Sequence, residues 1–400
     1  MPAQSQPPEP EAAKNRRLSP WIAGIGVLLA LLWQFLIVQY SFGGNWTGLF
    51  YTGERWPPPP ALAVERVLVF PETAGYDGQF YHYLAHDPLL QQGFEAYTDS
   101  ARVRWRRILI PGLAYLGALG SQRYIDRAYF VVVLGFLFLG IYWLSSFCIR
   151  HGLHAGWGLA FLLAPGVAIS IERMTVDIAL AALAVGFALW AEQQRPRALY
   201  AVVLLAPLAR ETGLLLVAGC VAAALSERQW KRAVVFSTAT LPCAVWAAYV
   251  HAHTQSSEGQ WMSLVPFAGI WSGAAATLQR PAGTPAELFA FAVHGIALMG
   301  ILLALLFTGW LAWQRRSLLG PVEWAAAIYA LLAIFLANTE VWADSYAYGR
   351  VMSPLLLWLV MLGAAGRRWS LVLPLALVVP RIAAHFATYL PGLWRGISGV

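Results

Sequence analysis

Residues 21–40 read WIAGIGVLLALLWQFLIVQY, twenty consecutive positions without a charge. At about 1.5 Å per residue a helix of this length covers about 30 Å, the hydrocarbon thickness of a bilayer. Lys14, Arg16 and Arg17 stand just before it. A signal peptide also begins with basic residues, but this run is long and lacks a small-residue cleavage pattern. It reads as a retained first membrane helix whose N-terminus is cytoplasmic. Residues 1–20, rich in Pro, Gln, Ala and Glu, are expected to be a disordered cytoplasmic N-terminus.

The pattern recurs along the chain. Of 400 residues, 59% are hydrophobic and only 12% charged, with a mean hydropathy of +0.58. A soluble domain carries about 25% charged residues, so most of this surface must meet something other than water. The apolar runs are too long for barrel strands of about 9–11 residues, which makes the spanning elements helices. The fold class is therefore all-α, a polytopic transmembrane protein with a single membrane domain over 21–400. The net charge of +7 does not point to nucleic acid, because the cations fall in short clusters between apolar runs, where they set orientation. Cys148, Cys220 and Cys243 lie inside apolar runs and read as small buried hydrophobes.

The basic clusters thread the chain. Besides the N-terminal group they are Arg150, Arg195 with Arg197, Arg228 with Lys231 and Arg232, Arg315 with Arg316, and Arg367 with Arg368. With all of them cytoplasmic, 21–40 runs outward and 41–126 is a long external loop. Further spans follow at 127–149, 155–171, 177–192, 233–251, 288–313, 322–337, 351–366 and 369–387. Residues 199–225 have basic clusters on both sides and must go out and come back, as two half-length helices with Arg210-Glu211-Thr212-Gly213 at the tip. Residues 108–120 suffice for about half a crossing and are expected to be an interfacial helix at the external surface. The total is about 10–11 membrane helices plus interfacial helices in the first loop. A competing threading makes 108–120 a short span and 199–225 one long helix, at the cost of leaving Arg195 and Arg197 outside. Residues 252–286, with Trp261, Phe267 and Trp271, are expected to cover the surface, and 57–60, four prolines, to form a stiff spacer.

The favoured threading collects ionisable groups on the non-cytoplasmic side: Asp77; Glu172, Arg173 and Asp177; Arg210 and Glu211; Glu340, Asp344 and Arg350. Such groups near hydrocarbon are costly unless they pair or line a wet cavity, and they mark function by default.

Residues 75–88 read GYDGQFYHYLAHDP. Asp77 suits a helix N-cap, Phe80, Tyr81 and Leu84 make an apolar stripe, and Pro88 follows the stop. Alone this describes a capped helix at a membrane surface. The Asp-Gly-Gln-Phe-Tyr segment at 77–81, in a long loop after the first helix, also resembles the GT-C class of membrane glycosyltransferases, which includes protein and lipid mannosyltransferases and aminoarabinose transferases. Ala164-Pro165-Gly166 followed by Ser170-Ile171-Glu172-Arg173-Met174-Thr175-Val176-Asp177 resembles that class's Ser-Pro, Arg and Thr-Asp stretch. Leu208-Ala209-Arg210-Glu211-Thr212-Gly213 resembles its Leu-Thr-Lys-Gly segment, with Arg-Glu for the Lys, which leaves the role of Glu211 open. The resemblance covers roughly 21–225, with 127–225 matching the class's catalytic core, and none is recognised over 226–400.

The resemblance implies transfer of a sugar from a polyprenyl-phosphate donor to an acceptor on the non-cytoplasmic side. Asp77 is then the general base, with Asp177 and Glu172 as further catalytic acids. Arg350, Arg210, Arg173, Arg107 and Tyr346 are expected at the donor phosphate, and Gln79, Tyr81, His82 and His86 at the acceptor or in the loop. The run Arg102, Arg104, Arg106 and Arg107 also suits anionic headgroups. His82 and His86, at i and i+4, permit a shared divalent metal, but no third ligand stands at a diagnostic spacing, so no metal is assigned from the sequence. The natural partners are the lipid bilayer and the polyprenyl-phosphate donor, without nucleic acid, and the natural location is a bacterial inner membrane with the site facing the periplasm. A transporter or lipid flippase with a polar central cavity is the alternative from another class, and a structural membrane subunit the third.

Overall fold

The computed structural model describes residues 9–255, 261–278, 283–315 and 319–398, and it is almost wholly helical. Helix α1 (Glu9–Ser41) contains the 21–40 run and continues back to Glu9, so 9–20 are helical and only 1–8 of the expected disordered segment lie outside the described residues. The loop that follows holds α2 (Asp77–His86), α3 (Ala101–Arg106) and α4 (Leu109–Gly117), and α2 and α4 pack on α5 (Gln122–Arg150). The expected interfacial helix at 108–120 is α4, whose nine residues span about 14 Å, half a crossing.

After α5 a 3₁₀ stretch, Ala155–Leu163, meets α6 (Pro165–Arg173) at a bend of 68°. Proline causes the break: Pro165 cannot continue a helix, and it holds Ala164 in an extended conformation. Helix α7 (Asp177–Glu192) is buried along nearly its whole length, and its Ala and Gly residues let neighbours close in, as where Gly186 meets the Trp143 ring.

Helices α8 (Pro196–Ala209) and α9 (Leu214–Ser226) form the expected hairpin, so the single-helix alternative for 199–225 is overturned. Arg210 is extended, with φ −164° and ψ 150°, and Gly213 folds back on α8 so closely that a Cβ would lie 2.2 Å from the Ala206 carbonyl. Glycine is required there by contact. The base of α8 stands beside Lys231 and Arg232 of α10 (Trp230–Ser237), which follows directly on α9. Helix α10 continues through Thr238–Thr240 into α11 (Leu241–His253), one long segment returning to the level of α3.

Helix α12 (Ala268–Leu278) lies over α15 (Thr339–Ala343), with Gly269 and Gly273 against Trp342. It occupies part of the cover expected over 252–286, with Trp271 exposed, while 256–260 and 279–282 lie outside the described residues. Between them run α13 (Pro285–Gln314), opened by a full Thr284/Glu287 capping box, and α14 (Pro321–Phe335). The chain ends with α16 (Ser345–Gly366), α17 (Leu373–Ala387) and α18 (Leu390–Ser398).

Six segments are long and apolar enough to cross a membrane: Arg17–Ser41, Gln122–Arg150, Trp230–His253, Pro285–Gln314, Ser345–Gly366 and Trp369–Gly396. The bent pair makes a seventh, and Pro196–Ala209, Glu211–Ser226 and Pro321–Phe335 are shorter apolar helices. This is the architecture of an integral membrane protein. Leu28, Val131, Val245 and Leu306 face outward as a lipid-contacting belt would, while α16 is the central post.

The helix ends sort by charge. At one end Arg150 meets Glu192, Arg367 donates to the carbonyls of His151 and Gly152, Arg368 lies over Trp310, and Arg315 meets Glu323. Arg316 lies outside the described residues. The acids and arginines singled out above gather at the opposite end. We expect a cysteine at Gln229 to react with a membrane-impermeant maleimide only after cells are opened, and one at Glu72 to react in intact cells. Equal labelling of both in intact cells would overturn the threading.

Candidate functional site

The site is built around the start of α2. Gly75, at φ +74°, turns the chain, Tyr76 is extended, and Asp77 is the first helical residue. Asp77 was expected to cap the helix; Tyr76 occupies the cap position instead and makes no side-chain cap bond. Gly78 sets α2 directly on α6, where a Cβ would meet the Arg173 carbonyl oxygen at 1.9 Å. Gln79 serves the loop. It is fully buried, its Oε1 accepting from Gly53 N at 3.0 Å and its Nε2 donating to Ala74 O at 2.9 Å, so it sews the loop together.

The Asp77 carboxylate is gripped by two arginines. Arg350 Nη2 donates to Oδ2 at 2.7 Å, and Arg104 Nη2 lies 3.0 Å from Oδ1. Arg104 also forks onto Asp99, at 3.0 and 2.6 Å. Arg350 reaches toward Asp177, 3.8 Å away, and Asp177 pairs with Arg210. Arg107 bonds Glu211 at 3.1 Å and donates to the Tyr81 hydroxyl at 2.8 Å. Four helices and the tip of the α8–α9 hairpin thus bring together Asp77, Asp99, Asp177 and Glu211 with Arg104, Arg107, Arg210 and Arg350. Four carboxylates meet four guanidiniums, so the cluster is formally neutral.

Burial alone would raise the Asp77 carboxyl, but Arg104 and Arg350 outweigh it and hold the group well below the usual carboxylate range. Arg104 is correspondingly lifted, its burial offset mainly by Asp77. The cluster is closed, with 20% of the Asp77 side chain exposed against 8% for Arg350 and 4% for Asp177.

Glu172 and Arg173 belong to a neighbouring cluster. Glu172 Oε1 accepts from Arg173 Nε at 2.8 Å and from the Tyr389 hydroxyl at 2.6 Å, and His385 Nε2 lies 2.8 Å away. The Arg173 guanidinium packs on Tyr51 at 3.4 Å. Tyr76 joins the two clusters, its ring 5.7 Å from Arg173 and 4.9 Å from Arg350. Tyr346, expected beside Arg350 at the phosphate, instead accepts from Arg381 Nη1 at 2.6 Å. Glu340 and Asp344 sit at the helix starts before α16, Asp344 accepting from Tyr346 N.

His82 and His86 turn away from Asp77. His82 lies five residues on, ~140° around the helix, and both histidines meet Glu65 and Asp126 on the far side of α2. The headgroup reading of the arginine run is also corrected: Arg102 bonds Thr254, and Arg104 and Arg107 turn inward. An arginine run on the side where cations are disfavoured was the available signal for this inward role. Asp99, Arg381, His385, Tyr389, Glu65 and Asp126 had no comparable signal, since only tertiary packing brings them in. The chain matches no protein-family model, no curated protein and no solved structure.

Removing one partner from such a cluster leaves charge uncompensated, so Asp77→Asn should cost about 3 kcal/mol of stability at neutral pH. Because the folded carboxyl is depressed, its contribution is complete above the unfolded value of about 3.9 and is lost as pH falls below it. The gap in unfolding midpoint between wild type and Asp77→Asn should therefore narrow only below about pH 4; a gap that closes between pH 7 and 5 contradicts the pairing. Gly78→Ala should cost about 1–3 kcal/mol by forcing α2 off α6, read in the same melts, with little effect ruling out the close approach.

Proposed function

We propose that the protein is an integral membrane glycosyltransferase that moves a sugar from a polyprenyl-phosphate donor to an acceptor hydroxyl on the non-cytoplasmic face, in a bacterial inner membrane with the site toward the periplasm. The observation that carries this reading is the grip of Arg350 and Arg104 on the Asp77 carboxylate, beside Asp177, Arg210 and Arg107. Transfer from a lipid phosphate needs a base at the acceptor and cations at the leaving group, and this cluster holds both within a few ångströms.

The neutrality of the cluster suggests how the parts act. A donor phosphate adds negative charge, so it must take an arginine from a carboxylate. Arg350 and Arg104 suit the exchange, because a guanidinium fork fits phosphate oxygens as well as it fits a carboxylate. Asp77, released from two cations, then becomes a stronger proton acceptor at the moment the donor is in place. The acceptor oxygen forms its bond to the anomeric carbon as the bond from that carbon to the phosphate oxygen breaks. The acceptor proton passes to Asp77, and the negative charge left on the phosphate rests on the arginines. Asp177 with Arg210 holds the far side of Arg350. Glu172 and Arg173 support the floor under α2, where Gly78 rests on the Arg173 carbonyl.

The half-length helices α8 and α9 let Arg210 and Glu211 stand at membrane depth inside protein, where a lipid-borne phosphate can meet them. A transporter of repeated halves would break helices at matching places in both halves. Among the described residues the sharply bent span, Ala155–Leu163 with Pro165–Arg173, and the α8–α9 hairpin both lie before residue 227, with no bent span after them.

The test is transfer of radiolabelled sugar from a panel of polyprenyl-phosphate donors by the protein in proteoliposomes. Wild type should transfer from at least one, and Asp77→Asn should be slower by about 10²–10⁴-fold while still binding the donor. Full activity in Asp77→Asn would sink the assignment of the base. Movement of lipid or solute across the vesicle without transfer would establish the transporter instead.

A further inference from the structure

We propose that Glu65, His82, His86 and Asp126 form a binding site for one divalent transition-metal ion of the zinc class, on the face of α2 turned away from Asp77. The inference is independent of the transferase reading. Glu65 ends the 3₁₀ segment Pro60–Glu65, His82 and His86 stand one turn apart on α2, and Asp126 lies near the start of α5.

One ligand atom from each of the four residues lies within 4.8 Å of the others. His82 Nε2 is 2.9 Å from Asp126 Oδ1 and 3.3 Å from Glu65 Oε2, and His86 Nε2 is 3.1 Å from Asp126 Oδ1 and 3.4 Å from Glu65 Oε1. A tetrahedral ion with bonds of about 2.0–2.1 Å sets its ligands roughly 3.3–3.4 Å apart, so small movements would seat one. Two imidazoles and two carboxylates suit zinc better than calcium or magnesium, which prefer all-oxygen sites.

His86 Nδ1 is 2.5 Å from Gln122 Oε1, and Gln122 Nε2 donates to His86 O, which fixes the amide so that Oε1 accepts. Nδ1 therefore carries a proton, and Nε2 of the same ring points at Asp126 Oδ1, 3.1 Å away. Both His82 ring nitrogens are buried and lack a hydrogen-bond partner of proper geometry, although Nε2 sits beside two carboxylate oxygens. A buried His82 nitrogen held beside two carboxylates without a bond in line is arranged as a ligand is. Gln122 is then the outer partner that orients a metal-bound histidine.

The site has an entry path. Glu65 and Asp126, each about a fifth exposed, line a cavity of about 1030 Å³ that also takes in Gln122, Arg123 and Arg127. An ion there would tie the loop after α1, α2 and α5 to one point and fix the rod whose other end carries Asp77. His82 and His86 are thus ligands and positioning residues.

The full-length protein, purified in detergent, stripped with chelator, reloaded with zinc and passed over a sizing column, should retain one zinc per chain. Cobalt(II) in its place should give the visible absorption of a four-coordinate site. Since His82 is fully buried and its loss could unfold the chain, the decisive variants are Glu65→Gln and Asp126→Asn, which keep side-chain shape. Their combination should abolish zinc retention and the zinc-dependent rise in unfolding temperature, whereas Asp77→Asn should keep both. Gln122→Ala should weaken zinc binding by about 10–100-fold. A wild type that retains no zinc, or a Glu65→Gln/Asp126→Asn variant that retains as much as wild type, overturns the proposal. Transferase activity enters none of these readouts.

Discussion

Much of this structure depends on the pairing of Arg350 with Asp77. The two lie 273 residues apart, and their bond fastens the loop after the first helix to the central post of the bundle. Arg350 stands near the start of α16, the most enclosed of the long helices. A guanidinium in such a place is costly unless it is paired. Asp77 accepts from its Nη2, while Asp177 stands 3.8 Å from its Nη1 and the Tyr76 ring 4.9 Å from its centre. The placement of α2, the start of α7 and the hairpin tip follows from that requirement as much as from apolar packing.

The same constraint explains why the broken helices stand where they do. A chain that must bring Glu172, Asp177, Arg210 and Glu211 against the ends of its apolar helices cannot do so with unbroken spans. It stops α6 at Arg173, restarts at Asp177 and doubles back at Arg210, each time where other protein can receive the freed backbone groups. Proline at 165 turns the chain into α6 by removing a donor, and glycine at 213 lets the hairpin close by permitting a contact no side chain would allow.

Much of the fold was legible in the sequence, because bilayer thickness and charge placement act on every span alike. Every apolar segment expected from 21–40 to 369–387 is helical, the short segment at 108–120 is half a crossing, and 199–225 turns back on itself. The site was partly legible. Asp77, Asp177, Arg210, Arg350 and Arg107 do converge, because ionisable residues in so apolar a chain have few places to go. Gln79, His82 and His86 stay in the loop but on other sides of α2 than Asp77, since nearness in sequence says little about which side of a helix a residue takes. Glu65 and Asp126 were invisible, being ordinary surface acids until the fold sets them beside two histidines.

The separation of 273 residues also has a consequence for how the molecule is made. Ribosomes add about 5–20 residues per second, so roughly 14–55 s pass between the synthesis of Asp77 and that of Arg350. Through that interval Asp77 is without the partner it meets on α16. Arg104, 27 positions on, is the cation available in the meantime. Biogenesis therefore favours a local partner for Asp77 as well as a distant one, and the nascent protein closes its polar end only when its final third arrives.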